Sequence, residues 1–181
     1  MAKPKNFQGK IHLYAGDGKG KTTASVGLTV RAAGRDFRVR FVQFLKSGNS
    51  AELKILRSLP TVTVVSGQKV NKFTFQMTDE EKQITKDVNH GYWTDAVEAV
   101  NNGEVDLLVL DEALGSIHTG LLNEDEVIEF LKNKPADVEV VLTGRDPSDK
   151  MIEVADYYSE ICARKHPYET EELPARAGIE F

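Results

Sequence analysis

The chain has very little cysteine and no long apolar run. Cys162 is its only cysteine among 181 residues, so an intramolecular disulfide and a cysteine-based metal site are both excluded, as is usual for a reducing compartment. We expect its thiol to be buried as a small apolar side chain. No apolar stretch approaches the roughly 18 residues that a membrane span needs, and the residues after Met1 lack the apolar core of a leader. These absences predict a cytoplasmic protein without a membrane anchor.

Excess positive charge and nucleophilic triads are also lacking. The chain has 23 Lys and Arg residues against 28 Asp and Glu, a formal net charge of −5. An acidic chain does not attract nucleic acid over a broad surface, so a small ligand is favoured over a polymer. The spacing of residues suggests no serine–histidine–acid or cysteine–histidine set. Without a covalent nucleophile, we expect the protein to act by positioning and electrostatic stabilisation.

A glycine-rich loop follows the first apolar stretch. It stands between a strand-like segment, 11–14, and a helix-like one, and reads Ala15-Gly16-Asp17-Gly18-Lys19-Gly20-Lys21-Thr22-Thr23. Glycines let successive backbone N–H groups point at one phosphate, and the helix adds the positive end of its dipole. Lys21 is placed to reach the outer phosphates and Thr22 to bind magnesium. The usual pattern has glycine where this chain has Ala15, so the loop is unusual but still predicts binding of a nucleoside triphosphate.

Short apolar segments alternate with helical ones. The predicted strands are 11–15, 39–45, 62–66, 105–111, 138–143 and 158–163. Helices are predicted from the loop to Gly34, over 50–59, from a capping box at Thr78, from Asn123 to Pro135, and from near Ser148. The alternation predicts an α/β fold with a mainly parallel central sheet of about six strands and helices on both faces. With the loop, this is a three-layer α/β/α, phosphate-loop NTPase-like (RecA-like) fold, expected as a single domain over 1–181.

Charged residues follow several of the strand candidates. The loop, Lys46, the pair Asp111 and Glu112, and Arg145 each come after one, and parallel strands bring such positions to one edge of the sheet. Carboxylates there can hold magnesium against a triphosphate, and the sequence leaves open which of the two acids does so. Lys19, Lys46 and Arg145 are candidate phosphate ligands, with a solvated surface position as the alternative for each.

Two further segments carry weaker signals. Phe73 and Phe75 could wall a large flat ligand, although alternating aromatics alone are more typical of a core strand. The segment 114–122 contains glycine near both ends and could be mobile over the site. His118 within it could donate to a substrate, or could be an ordinary solvated histidine. Trp93 lies in a helical pattern and is expected in the core.

In order along nearly the whole chain, these segments resemble those of the ATP:corrinoid adenosyltransferases. The segments that carry the resemblance are Gly16-Asp17-Gly18-Lys19-Gly20-Lys21-Thr22-Thr23-Ala24, Val42-Gln43-Phe44-Leu45-Lys46, Phe73-Thr74-Phe75, Val109-Leu110-Asp111-Glu112, Thr143-Gly144-Arg145, and Lys165-His166 with Ala177-Gly178-Ile179-Glu180-Phe181. Any one of them is common, whereas the ordered set is specific.

The resemblance implies transfer of the 5′-deoxyadenosyl group of ATP to the cobalt of a reduced corrinoid such as cob(I)alamin, giving adenosylcobalamin and triphosphate. It implies ATP on loop residues 16–23 with Lys46 and Arg145, and Mg²⁺ or Mn²⁺ near Thr22, Asp111 and Glu112. Lys21, Thr22 and Glu112 would be the catalytic residues. The corrinoid would lie beside Phe73, Phe75 and His118. A homodimer, an electron-donating flavoprotein reductase and a role in cobalamin biosynthesis are also implied.

Two other functions are compatible with the phosphate loop. A kinase or NTP hydrolase acting on the terminal phosphate would release ADP, whereas the adenosyltransferase would release triphosphate. A nucleotide switch or a recombinase-like, DNA-stimulated module is the third alternative, and the acidic balance of the chain counts against its DNA-binding form.

Overall fold

The computed structural model describes residues 3–70 and 72–180. Phe181, the last residue of the ending quoted above, lies outside them, as do Met1 and Ala2. The strands are β1 (Ile11–Ala15), β2 (Val39–Gln43), β3 (Val62–Ser66), β4 (Leu107–Asp111), β5 (Glu139–Gly144) and β6 (Tyr157–Glu160). The helices are α1 (Lys21–Ala33), α2 (Ala51–Leu56), α3 (Asp79–Asn101), α4 (Ala113–His118), α5 (Glu124–Asn133), α6 (Asp149–Glu153) and α7 (Pro167–Glu171), with a single 3₁₀ turn at Thr74–Gln76.

The six strands form one sheet in the order β3-β2-β4-β5-β1-β6. Every neighbouring pair is parallel, so the carboxyl ends of all six strands lie at one edge. This confirms the predicted α/β class and a sheet of six strands, an architecture consistent with a phosphate-loop NTPase-like fold. The loop after β1 lies between the connections that leave β5 and β6.

The core has two parts, one on each face of the sheet. On the first face, Val39 and Phe41 of β2 pack with Leu53 and Leu56 of α2 and with partly buried residues of α1. On the second face, side chains of β1, β2, β4 and β5 pack with α3, α4, α5 and α6. Full burial of each large apolar side chain contributes about 1.5–3 kcal/mol. Strand residues therefore alternate between two helical layers, which explains why the central strands are apolar throughout.

The longest helix, α3, begins where the capping box predicted. The Thr78 hydroxyl accepts from Glu81 N–H at 3.2 Å, and the Glu81 carboxylate accepts from Thr78 N–H at 2.9 Å. Trp93, in the middle of this helix, is 5 % exposed and meets Phe130 of α5 edge to face, which confirms it as a core residue. Across the described ranges, no helix combines the length and the apolar character needed to cross a bilayer.

Four local expectations were wrong. β2 ends at Gln43 because Leu45 takes a left-handed conformation (φ 56°) and turns the chain out of the strand. β6 ends at Glu160 because residues 161–163 hydrogen-bond to the phosphate loop instead. Cys162 in that segment is exposed rather than buried, since β6 is an edge strand whose residues are all exposed. The segment 114–122 is no mobile flap, because it begins as α4 with Leu114 buried against the sheet.

A buried acid organises the opposite, amino edge of the sheet. Asp106, 4 % exposed, accepts from the Arg38 backbone N–H (2.9 Å), Nε (3.0 Å) and Nη2 (2.8 Å). It also pairs with Lys3 Nζ at 2.9 Å. Burial by itself would raise the pKa of Asp106, but the hydrogen bonds from Arg38 and Lys3 outweigh it and hold this pKa well below its usual range.

We expect Asp106→Asn to lower the free energy of unfolding at pH 7 by about 2 kcal/mol, because charge-assisted hydrogen bonds are lost. The folded-state pKa is depressed, so this contribution is complete above the unfolded pKa of about 4 and shrinks as pH falls toward the folded value. Urea unfolding of the wild type and the variant at pH 7 and pH 3 measures it. Asp125→Asn, at a side chain that is 85 % exposed, is the control. A deficit that stays constant with pH would contradict the assignment.

Candidate active site

The phosphate loop runs from the end of β1 into the first turn of α1. Gly16 and Gly20 adopt φ 114° and 125°, a region that glycine enters without strain. The Lys21 ammonium donates to the carbonyl oxygens of Gly16 (2.6 Å) and Gly18 (2.7 Å), which holds it at the centre of the loop. α1 is 13 residues long and has no acidic residue in its first turn, so its N-terminal dipole favours an anion there.

The segment after β6 supports the loop from behind. Gly18 N–H donates to the Ile161 carbonyl at 2.7 Å, and Ala163 N–H donates to the Asp17 carboxylate at 3.0 Å. The second bond lowers the pKa of Asp17. A Cβ on Gly18 would lie 2.6 Å from the Ile161 oxygen. Position 18 therefore requires glycine because two backbones touch, and not because of its dihedral angles.

Asp111, at the end of β4, is the centre of the site's hydrogen-bond network. Its side chain is fully buried. Thr22 and Thr143 hydroxyls donate to Oδ1 at 2.9 and 2.8 Å. The Gln43 amide and the Lys46 ammonium donate to Oδ2 at 3.1 and 3.0 Å. Both oxygens thus accept two bonds each, from α1, β5, β2 and the chain after β2.

Lys46 links two of these groups. Its Nζ is 3.2 Å from the Thr22 hydroxyl as well as 3.0 Å from Asp111 Oδ2. The left-handed turn at Leu45 directs the next residue, Lys46, back toward Asp111. A fully buried carboxylate is costly unless it is paired, and Lys46 is the cation that pairs with Asp111.

Glu112 is the second acid of the pair, and its surroundings differ. Among residues 3–70 and 72–180, its carboxylate has no hydrogen-bond partner, whereas that of Asp111 has four. Burial raises the pKa of Glu112 and the Asp111 charge raises it further, while Lys46, Lys21 and Arg145 oppose the increase. Glu112 is therefore the acid whose oxygens are available to a ligand.

Positive charge surrounds the loop. Burial lowers the pKa of Lys21, and the neighbouring Arg145 charge adds to that effect. Arg145 is exposed directly after β5. Its positive charge also lowers the pKa of Asp17 and opposes the rise in the pKa of Glu112. Lys21 and Arg145 thus stand close to one another, a repulsive arrangement that a bound polyanion would relieve.

The donors present suit a hard divalent cation. No group of three or more His, Cys, Asp or Glu side chains in the described ranges is arranged to hold a metal by itself. The Thr22 hydroxyl and the Glu112 carboxylate are nevertheless hard oxygen donors near the loop. Magnesium typically takes one or two such protein ligands and completes its shell with phosphate oxygens and water. These residues therefore fit a metal that arrives with a nucleotide.

An exposed aromatic pair lies in the connection that follows β3. Phe75 lies within the 3₁₀ turn and Phe73 directly precedes it, and the two side chains are 81 % and 70 % exposed. Their rings are stacked with centroids 5.6 Å apart. The core-strand interpretation of these residues is wrong. Two stacked, solvent-facing rings form a surface that a large flat ligand could cover.

Residues 7–181 match the family model described as ATP:corrinoid adenosyltransferase BtuR/CobO/CobP. The chain belongs to this family. A corrinoid adenosyltransferase of Pseudomonas aeruginosa is 31 % identical over 184 residues, which cover all of this chain and 88 % of that protein. Those of a Sinorhizobium species and of Escherichia coli K12 are 30 % and 28 % identical, again over all of this chain and over 84 % and 90 % of their own lengths.

Family membership confirms the main functional prediction, an ATP:corrinoid adenosyltransferase, and gives no support to a kinase or hydrolase. The structure brings most of the residues predicted for that activity together. Hydrogen bonds join Thr22, Lys46 and Asp111 to one another. Glu112 is close enough to Asp111, Lys46 and Lys21 for their charges to shift its pKa.

Besides the aromatic pair, three predicted residues lie apart from that group. Lys19 donates to the Ile179 carbonyl at 2.9 Å and faces Glu180 at 3.3 Å, so its ammonium is held by the C-terminal tail. Thr23 is exposed on α1. His118 is exposed at the end of α4, about 9 Å along the helix from Glu112, and its contact with a corrinoid stays a prediction.

Sequence reasoning assigned no role to Gln43 or Thr143, although both lie in segments that carry the family resemblance. Both are fully buried, Gln43 as the last residue of β2 and Thr143 as the penultimate residue of β5, and these two strands flank β4. The Ser66 hydroxyl donates to the side-chain oxygen Oε1 of Gln43 at 3.1 Å, which turns the side-chain amide nitrogen toward Asp111. A polar residue at or beside the end of a buried strand was the available signal, but only the strand order shows that these two residues flank Asp111.

We expect Gly18→Ala to weaken binding of ATP with magnesium by at least about tenfold, or about 1.4 kcal/mol. The added methyl group would force the loop away from the Ile161 carbonyl. Isothermal titration calorimetry measures the affinity. Gly27→Ala is the control, since a Cβ on that α1 residue meets nothing within 4 Å and alanine favours the helix by about 0.5–1 kcal/mol. Equal affinities for the two variants would show that the contact is dispensable.

Proposed function

We propose that this chain transfers the 5′-deoxyadenosyl group of ATP to a corrinoid at the carboxyl edge of its sheet, with the phosphate-loop cations holding the triphosphate. One observation carries the proposal. The cations around Lys21 follow β1, whereas the stacked rings of Phe73 and Phe75 lie in the connection that leaves β3, four strand positions away in the same parallel sheet. That separation suits an enzyme that holds a polyanion at one end and a large apolar ring at the other.

The strand order supports an orientation of the nucleotide in which the ribose extends from the loop toward β3. β5, β4 and β2 lie between β1, which carries the loop, and β3, which leads to the aromatic pair. Four strand spacings of about 4.8 Å separate β1 from β3 by about 19 Å. The ribose would then lie over β4 and β2, with C5′ facing the corrinoid, rather than over β6.

The proposed reaction is a nucleophilic substitution at C5′. The electron pair of cobalt(I) forms the cobalt–carbon bond, and the C5′–oxygen bond breaks with its electrons leaving on the triphosphate. No proton has to be removed, so the reaction needs neither a general base nor a covalent nucleophile. Lys21, Arg145 and the loop N–H groups would stabilise the charge that grows on the leaving triphosphate.

A divalent cation would bind beside this leaving group. We propose that Thr22 and Glu112 hold Mg²⁺ or Mn²⁺ together with phosphate oxygens, and that Asp111 orients Thr22 instead of binding the metal. The cation, when bound, neutralises phosphate charge. Because Asp111 already accepts four hydrogen bonds, assigning the metal to Glu112 leaves that network intact.

The aromatic pair would form the apolar wall of the corrinoid site. We propose that Phe73 and Phe75 keep the lower axial ligand away from cobalt(II), which makes its reduction to cobalt(I) feasible. The electron donor would be a flavoprotein reductase. A homodimer, a single domain over 1–181, a cytoplasmic location and a role in cobalamin biosynthesis also remain predictions.

The product of the reaction tests the proposal. An anaerobic assay with ATP, magnesium and chemically reduced cob(I)alamin should yield adenosylcobalamin, followed by absorbance, and inorganic triphosphate, identified by chromatography. We expect Lys21→Ala to lower kcat by about 10²–10³-fold, because it removes a donor to the leaving group. Lys54→Ala, at an exposed lysine on α2, should be unaffected. Formation of ADP or free phosphate without an alkylated corrinoid would refute the transferase assignment.

The aromatic pair has a separate test. With cob(II)alamin and a reductant, Phe73→Ala and Phe75→Ala should each lower the rate by about tenfold or more, because the axial ligand would no longer be excluded. With chemically prepared cob(I)alamin the loss should be smaller, and ATP affinity should not change. Tyr168→Ala serves as the control, since this tyrosine of α7 is similarly exposed. Equal losses with both cobalt states would argue against a role in reduction.

A further inference from the structure

One hydroxyl connects the two acids of the site. Thr143 is fully buried at the end of β5. Its Oγ1 accepts from the backbone N–H of Glu112 at 2.9 Å and lies 2.8 Å from Asp111 Oδ1. Because the Glu112 N–H can only donate and the Asp111 carboxylate can only accept, the hydroxyl proton points to Asp111. Thr143 thus ties the side chain of one acid to the backbone of the next.

The backbone held in this way has an uncommon conformation. Glu112 has φ 61° and ψ 18°, the left-handed region that side chains other than glycine rarely adopt. It stands at the N-terminus of α4, where its carbonyl oxygen accepts from Ser116 N–H at 3.1 Å. No side chain at this position caps the helix. Such a conformation persists where the surroundings determine it, and the Thr143 hydroxyl is the group that binds the Glu112 N–H.

The next residue of β5 brings α4 close to the sheet. Gly144 has φ 147°, and a Cβ on it would lie 2.7 Å from Leu114 Cβ and 2.8 Å from Gly115 N. The first turn of α4 therefore rests directly on the end of β5. The Glu112 carboxylate lies over that turn, with Oε2 3.3 Å from the position of a Cβ on Gly115. Thr143 and Gly144 together define where Glu112 sits.

We infer that Thr143 is a positioning residue, which aims the Glu112 carboxylate at the metal–triphosphate by locking the Asp111–Glu112 backbone through its hydroxyl. The inference rests on the proposed function, since it concerns how Glu112 serves that site. Thr143 is fully buried and its hydroxyl is already bonded to Glu112 and Asp111, so we do not expect it to bind nucleotide or metal directly. The inferred effect on metal binding passes through the Glu112 backbone, although the hydroxyl also donates to Asp111.

The test compares Thr143→Val, which keeps the shape and removes the hydroxyl, with Thr143→Ser, which keeps the hydroxyl. Mn²⁺ is titrated into the protein with saturating ATP and without corrinoid, and free Mn²⁺ is read by electron paramagnetic resonance. We expect Thr143→Val to weaken Mn²⁺ binding about 10–100-fold and Thr143→Ser to remain within about threefold of the wild type, as for residues that orient a metal ligand. Thr143→Ala provides the same comparison should the valine variant not fold.

A double variant shows whether the effect passes through Glu112. Glu112→Gln alone should weaken Mn²⁺ binding, and adding Thr143→Val should cause little further loss, because the carboxylate that Thr143 aims is already gone. Wild-type Mn²⁺ affinity in Thr143→Val, equal losses in the valine and serine variants, or additive losses would each overturn the inference. Thermal unfolding of each variant accounts for any loss of stability.

This measurement is independent of the transferase test. If the wild type binds Mn²⁺ with ATP but makes no adenosylcobalamin, the proposed function fails while the role of Thr143 still stands or falls on the titration. If the wild type makes adenosylcobalamin and Thr143→Val binds Mn²⁺ normally, the proposed function stands and only the positioning role fails.

Discussion

A buried carboxylate that must be paired is the constraint on which this site depends. Asp111 is fully buried, and both of its oxygens accept two hydrogen bonds. The donors come from α1, from β2 and the chain that follows it, and from β5. A buried charge left without partners is strongly destabilising, so this network favours the one arrangement of loop, strands and helix that satisfies Asp111. The phosphate loop is thereby tied to the centre of the sheet.

Asp111, which ends β4, and Glu112, which follows it, have different roles in the site because their environments differ. Asp111 faces the α1 side, where hydroxyl, amide and ammonium donors converge on it. Glu112 turns out of the strand in a left-handed conformation and keeps its carboxylate free among cations. Adjacent residues of a strand point to opposite faces. The left-handed turn at Glu112 also takes its side chain out of the alternation of the strand. Local backbone geometry thus separates a structural acid from one available to a ligand.

The family and the general form of the fold could be predicted from the sequence because their signals are local. The glycine-rich loop, the capping box at Thr78 and the apolar strands each depend on neighbouring residues; the loop and the capping box were correctly located, and all six strands were found, with errors at the ends of β2 and β6. Cys162 and the segment 114–122 were misjudged because burial depends on what lies across the sheet. The alternation of Phe73 and Phe75 predicted a core strand, whereas the connection from β3 leaves both rings in solvent.

By itself the sequence determined that the chain alternates strands with helices, carries a phosphate loop, and has two adjacent acids at the end of β4. Each of these follows from residue type and spacing within one short segment. Only the tertiary structure decided that Gln43 and Thr143 flank Asp111, that Lys19 is held by the tail, and that Gly18 is required by the Ile161 carbonyl. These contacts join residues far apart in the chain, and the strand order and parallel register that bring them together are set by packing across the whole sheet.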